Sequence, residues 1–274
     1  MNDLIRLRIR HTTTYDYDQP VPYALQQVRL TPKSHASQKV LHWSTTVIGG
    51  RKEVSFEDSH RNWVDLISFT PGTRSITVTS AGEVEMRDTQ GVVGAQGGFM
   101  PLWMFLRPTP LTCVGTGTRK LVAGVQAATG PGDTVLARMH ALMAAISAQV
   151  TYETGASNVS YSAEDTLAAG HGVCQDMAHV FVTAARAMNV PARYVSGYLM
   201  MNDRIVQDAT HAWAEAHVPD IGWVGFDPSN GISPDTRYVR MATGLDYAEA
   251  APVAGTRFGG AAERLSVSVE VAQQ

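Results

Sequence analysis

Three residues in the second half of the chain have the types needed for a nucleophile, a base and an acid. They are Cys174 in "GHGVCQDMAHVFVTAARAMNV", His211 in "HAWAEAHV" and Asp227 in "WVGFD". A thiolate attacks a carbonyl, an imidazole takes the proton from sulfur and later returns it to the leaving group, and a carboxylate fixes the imidazole's tautomer. The backbone N–H of the cysteine helps to bind the oxyanion. The chemistry of such a set is acyl transfer through a thioester. Cysteine is among the most often buried residue types and nine histidines give many chance pairings, so only the three in combination carry weight. Cys113, between Thr112 and Val114, has no such context and reads as a packed thiol.

The elements must place these groups. From Cys174 onward, Ala178, Phe181, Ala185 and Met188 recur at steps of three and four, and Pro191 ends the pattern, so the cysteine stands in the first turn of a helix. Free N–H groups and the positive end of the macrodipole stabilise a thiolate there. Gly170 and Gly172 permit a sharp bend and leave room beside the sulfur. In "HAWAEAHV", His211, Trp213, Glu215 and His217 share one face and Ala212, Ala214, Ala216 and Val218 the other. If Trp213 lies opposite Asp227, across a loop of five residues, His211 and Asp227 are diagonal neighbours on one face; a slip of one residue separates them. The alanine face fits against a helix, and the Cys174 helix is the natural partner.

The chain has 274 residues, 44% hydrophobic, with Lys+Arg 22 against Asp+Glu 25 and net charge −3. That supports a folded core and gives no footprint for nucleic acid or an anionic membrane. Arg6, Arg8 and Arg10 interrupt the apolar residues of the N-terminus, and no run approaches the roughly 18 apolar residues of a membrane span, so a cytoplasmic location with both cysteines reduced is expected.

The fold class expected is α+β. Residues 1–95 alternate at period two between turns and form an antiparallel β-sandwich of about six or seven strands. Residues 96–131 form a linker with a helix near 118–128, and the aromatic run "FMPLWMFLRP" packs between modules. Residues 132–240 form the core, opened by a helix behind Asp133 as N-cap and by a shorter one with a Ser162/Asp165 box closing on Gly170. "ARYVSGYLM", "RIVQDA", "HAWAEAHV" and "WVGFD" are its four strands, and 241–274 is an extension whose last strand, "RLSVSVEV", can return to the N-terminal sheet. No H-x-x-x-H or C-x-x-C pair suggests a metal, and no cofactor is expected.

"GVCQDMAHVFVTAARAMNVPARYVSGYL" followed by "HAWAEAHVPDIGWVGFDPSNG" resembles the transglutaminase-like superfamily. The resemblance implies a papain-like core with Cys174, His211 and Asp227 as the triad. "HTTTYDYDQPVPYALQQVRLTP" and "YVRMATGLDYAEAAPVAGTRFGG" are similar to the N-terminal β module and the C-terminal extension of bacterial members, often described as predicted cysteine proteases. Tyr152 stands where the resemblance places an aromatic oxyanion donor, with a plain core tyrosine as the alternative. Gln175 follows the cysteine where animal transglutaminases carry an aromatic residue, and no acidic cluster reads as a calcium site. Both departures favour a peptidase or amidase acting on a peptide, protein or small amide. A transglutaminase or amide synthase with an amine acceptor, and a catalytically idle binding module, remain the alternatives. His179 and Trp213 are further candidates for the cleft. Asp176 reads as structural, and Trp223 is either a wall of the slot or core.

Overall fold

The computed structural model describes residues 4–258 and 262–274. The N-terminal strands are β1 (Leu4–Val21), β2 (Tyr23–Thr31), β3 (Gln38–Ile48), β4 (Gly50–Glu57), β5 (Trp63–Phe69) and β6 (Thr73–Arg87). They divide between two antiparallel sheets. Leu7, Ile9, Ile76, Val78 and Val84 of one sheet and Val28, Leu30 and Ile67 of the other meet in a buried core, the alternate residues facing water. The α+β class stands.

The remaining elements are β7 (Val92–Gly94), α1 (Thr116–Ala128), α2 (Val135–Gln149), β8 (Thr151–Tyr152), α3 (Ala163–Ala169), β9 (His171–Gly172), α4 (Cys174–Ala187), β10 (Ala192–Leu199), β11 (Val206–Gln207), β12 (His211–Val218), β13 (Gly222–Phe226), β14 (Tyr238–Gly244), α5 (Tyr247–Ala250), β15 (Val253–Phe258) and β16 (Glu263–Gln273). The core sheet has the order β14-β10-β12-β13-β7, and α4 lies across it. Twelve residues of α4 are buried, because α1, α2 and α3 cover the side away from the sheet. Among the described residues no helix is long and apolar enough to cross a membrane.

Several expectations are corrected. Val92–Gly94 belongs to the core sheet through pairing with β13, and residue 240 falls inside β14, which pairs with β10. "RIVQDA" contributes only the two residues of β11, and these pair with β16 in an N-terminal sheet, not with β12. Thr134, not Asp133, caps α2, accepting from the Ala137 N–H, while Asp133 bonds the Gly130 N–H. Phe105 packs between modules, 6.0 Å from the His60 ring and 4.9 Å from Trp223, but Phe99 and Trp103 of the same run are exposed. β16 does return to β1, pairing from Leu7↔Gln273 to Tyr17↔Glu263.

The modules are joined along β14, the edge of the core sheet, whose outward backbone groups would otherwise lack partners. Gln38 donates to the Arg240 carbonyl (2.9 Å) and accepts from the Arg240 N–H (2.8 Å). Asn62 does the same at Thr243 (2.7 and 2.8 Å). Two side-chain amides thus stand in for a neighbouring strand.

Candidate active site

α3 ends on Gly170 at φ 73, a left-handed position that suits glycine, and β9 then carries the chain to Cys174. Gly172 is needed for a different neighbour than expected. A Cβ there would lie 2.9 Å from the Asp176 Cβ, so the missing side chain makes room for Asp176 rather than for a substrate. Asp176 is fully buried and accepts from the Val173 N–H (2.8 Å) and the Ser157 hydroxyl (2.5 Å), tying the start of α4 to the 153–161 loop. Cys174 is 9% exposed, among Ala178, Tyr194, Ala212 and Ala242.

The hairpin has the expected register. Ala214↔Phe226, Glu215↔Gly225 and His217↔Trp223 are paired, and one step further puts Trp213 opposite Asp227. The connection is shorter than the five residues expected, since pairing continues to Val218↔Gly222 and leaves Pro219–Ile221 as the turn. His211 Nε2 donates to Asp227 Oδ2 at 2.7 Å, which leaves Nδ1 as the nitrogen for the thiol. Burial alone would lower the His211 pKa. The Cys174 charge, hydrogen bonds with Asp227 and Cys174, and the Asp227 charge override it and raise the value to about 10.

Asp227 is fully buried. Oδ1 accepts from the Ser229 N–H (2.9 Å), the Ser229 hydroxyl (2.6 Å) and the Asn230 N–H (3.3 Å). Oδ2 accepts from Asn230 Nδ2 (2.7 Å) and the Tyr238 hydroxyl (2.8 Å) as well as from His211. Burial works to raise the Asp227 pKa, but these bonds and the His211 charge hold it at about 2. Ser229, Asn230 and Tyr238 were not singled out from sequence. The first two carry a readable signal, Asp followed by polar residues at two and three positions, as in an Asx turn. Tyr238 carries none, because β14 reaches Asp227 only through the sheet.

The other candidates separate. Tyr152 is half-exposed beside Gly172, its β9 partner, and the Cys174 and Asp227 charges add to burial in raising its phenol pKa. Gln175 is half-buried next to the thiol. His179 does not line a cleft: it is fully buried, accepts from the Tyr247 N–H at 3.1 Å, and is held neutral with a pKa of about 3 by burial and then Arg186. Trp213 is 2% exposed, stacked near His211 (6.2 Å, 27°) and edge-on to Tyr238 (5.5 Å), so it shields the His–Asp bond from water instead of meeting a substrate. Trp223 is core, with the Arg193 guanidinium 3.9 Å above its ring. Cys113 is exposed rather than packed, donating to the Thr109 carbonyl. Among the described residues no group of three or more His, Cys, Asp or Glu side chains is arranged to hold a metal ion.

A two-module α+β fold with a cysteine at the head of a buried helix and a His–Asp pair on the facing hairpin defines a papain-like arrangement. The chain belongs to the transglutaminase-like superfamily: residues 121–228 match the transglutaminase-like superfamily core and residues 7–85 the bacterial transglutaminase-like N-terminal region. It is 28% identical to an uncharacterised protein of Mycobacterium leprae over 97% of this chain and 98% of that one. A shorter match, 32% identical, links 35% of this chain to 14% of a protein-glutamine gamma-glutamyltransferase of Pseudomonas aeruginosa. The fold is shared with the crystal structure of a proposed cysteine protease from Cytophaga hutchinsonii at a TM-score of 0.77, 24% identity, 99% of this chain and 91% of that one.

Proposed function

We propose that this chain is a thiol-dependent acyl-transfer enzyme acting on an amide or peptide carbonyl. The observation that carries this reading is one imidazole set between two partners, its Nε2 on a buried carboxylate and its other nitrogen left for a thiol at a helix N-terminus. Cys174 sulfur bonds to the carbonyl carbon, and the C–N bond breaks as His211 gives its proton to the departing amine. In the second half, water attacks the thioester, His211 takes its proton and then restores it to sulfur, and a carboxylic acid leaves.

Water is the favoured acceptor. Tyr152, whose phenol feels the charges of both Cys174 and Asp227, is half-exposed, so water reaches the edge of the site. Gln175 and the absence of an acidic cluster in the sequence point the same way. A peptidase or amidase is therefore the first reading. An amine acceptor is the second, favoured by the name of the Pseudomonas relative.

The test is intact-mass analysis after incubation with a mixed peptide pool and acid quench. An acyl adduct on Cys174 is expected, absent in Cys174→Ala and accumulating less in His211→Ala. In H₂¹⁸O the released acid carries the label; an amide formed from added methylamine instead supports the second reading. No adduct, together with iodoacetamide labelling of Cys174 at pH 6 less than about tenfold faster than a free thiol, overturns both.

A further inference from the structure

Asp227 Oδ2 is crowded in a way the acyl-transfer chemistry alone does not require. Three donors converge on this one oxygen: His211 Nε2 at 2.7 Å, Asn230 Nδ2 at 2.7 Å and the Tyr238 hydroxyl at 2.8 Å. Asn230 Nδ2 also donates to the Tyr238 hydroxyl oxygen at 3.2 Å, so the two neutral donors brace each other. The Tyr238 ring is 3% exposed and meets the His211 ring at 5.7 Å and 63° as well as Trp213. It therefore touches both members of the pair at once.

From this convergence we propose that Tyr238, braced by Asn230, is a positioning residue that sets how tightly His211 holds its proton. The proposal rests on the acyl-transfer reading above. A donor on Oδ2 stabilises the carboxylate and draws on the charge that would otherwise act on the imidazolium alone. It also pins the carboxyl plane, because Ser229 and the Asn230 N–H hold Oδ1 while Tyr238 and Asn230 hold Oδ2 from the other side. The phenol is itself kept protonated, since burial and then the Asp227 charge push its pKa well up. The titratable groups facing the pair are Cys174 from α4, Tyr152 from β8, and Asp235 ahead of β14, itself paired with Arg237; His35, Arg87, Glu215 and Arg240 line the small cavity behind Tyr238. None of these donates to Oδ2.

Removing the Tyr238 hydroxyl leaves Oδ2 with more charge for His211, so the imidazolium becomes harder to deprotonate. The experiment follows iodoacetamide alkylation of Cys174 against pH in a Cys113→Ser background, for the full chain and for Tyr238→Phe, which keeps the ring and its packing. The alkaline change in rate, where His211 loses its proton, is expected to move up by about half to one pH unit in Tyr238→Phe. Asn230→Ala, on the exposed rim, is expected to shift it the same way by less and serves as the second variant. With a substrate in hand, kcat falls several-fold in Tyr238→Phe with KM unchanged. A purely structural tyrosine would lower stability and leave the alkaline limb in place. An unmoved limb in both variants overturns the proposal while leaving the acyl-transfer reading intact. A wild-type profile like that of an ordinary thiol overturns that reading and this one with it.

Discussion

Two fully buried carboxylates, one on β12 and one just past the end of β13, face the same way in the core, yet they are held in opposite styles. Glu215, on β12, is gripped by two permanent cations, Arg193 (Nε at 2.6 Å) and Arg240 (Nε at 2.8 Å). Asp227, just past β13, has neutral donors and one imidazole. Burial opposes the charge of each, and in each the partners overcome it and bring the pKa to about 2. Depth and a depressed pKa therefore do not mark chemistry, since structural ion pairs produce both. What differs is whether the partner can change charge. Guanidinium groups stay protonated, so the Glu215 cluster is a lock, reinforced by Arg193 stacked on Trp223 and by Arg240 meeting Gln38 of the N-terminal module. Imidazole can give up its proton, so the Asp227 cluster can take part in a reaction.

The largest effect should come from breaking the Asp227 side of this contrast. Asp227→Asn keeps the size but has one acceptor oxygen in place of two and cannot hold the imidazolium, so kcat/KM should fall by about 10³–10⁴-fold and the alkylation rate at neutral pH by about 30-fold, toward that of an ordinary thiol, with the alkaline limb moving down from about 10. A loss under tenfold would mean that the pair does not act on the thiol. The Glu215 side predicts the reverse division. Glu215→Ala leaves two guanidinium groups facing each other in a dry interior and should cost about 3–5 kcal/mol in urea unfolding. The pH profile of Cys174 alkylation in molecules that remain folded should stay where it is. If that profile moves, the two clusters are coupled and the division into lock and reactive pair is wrong.

The same contrast separates what a sequence can carry from what it cannot. The hairpin register was legible because Trp213, Glu215 and His217 alternate with alanines that can face only a helix, and one slip would bury the wrong set. The Ser162/Asp165 box and Gly170 were legible because caps are local. Tyr238 was not, since it reaches Asp227 only after β14 pairs with β10, and no local pattern encodes that pairing. β11 reads as a core strand for the same reason: its alternation says strand, but its partner is β16, over sixty residues away. His179 reads as a cleft candidate because position on the second turn of α4 does not reveal that α5 closes over it, with the Tyr247 N–H as its partner.

That histidine carries the smallest prediction and extends the contrast to a second pair of like residues. His211 has a carboxylate and a thiol; His179 has a backbone N–H and a nearby cation, Arg186. Their pKa values move apart, to about 10 and about 3 from a common 6.5. For His179 the folded state refuses a proton that the unfolded chain accepts. Its contribution to stability is thus complete above pH 6.5 and is lost as pH falls toward 3. For His211 the sign is reversed, with the contribution present below 6.5 and lost as pH rises toward 10. Urea unfolding at pH 6.5 and 5 should show wild type losing about 1–2 kcal/mol more than His179→Gln, whose amide oxygen can still accept from the Tyr247 N–H. His11 and His35, both lowered to about 4 by burial, are present in both proteins and cancel in the difference. Equal losses in the two proteins would show that His179 takes up its proton in the fold, and that burial without a carboxylate is not what sets these two imidazoles apart.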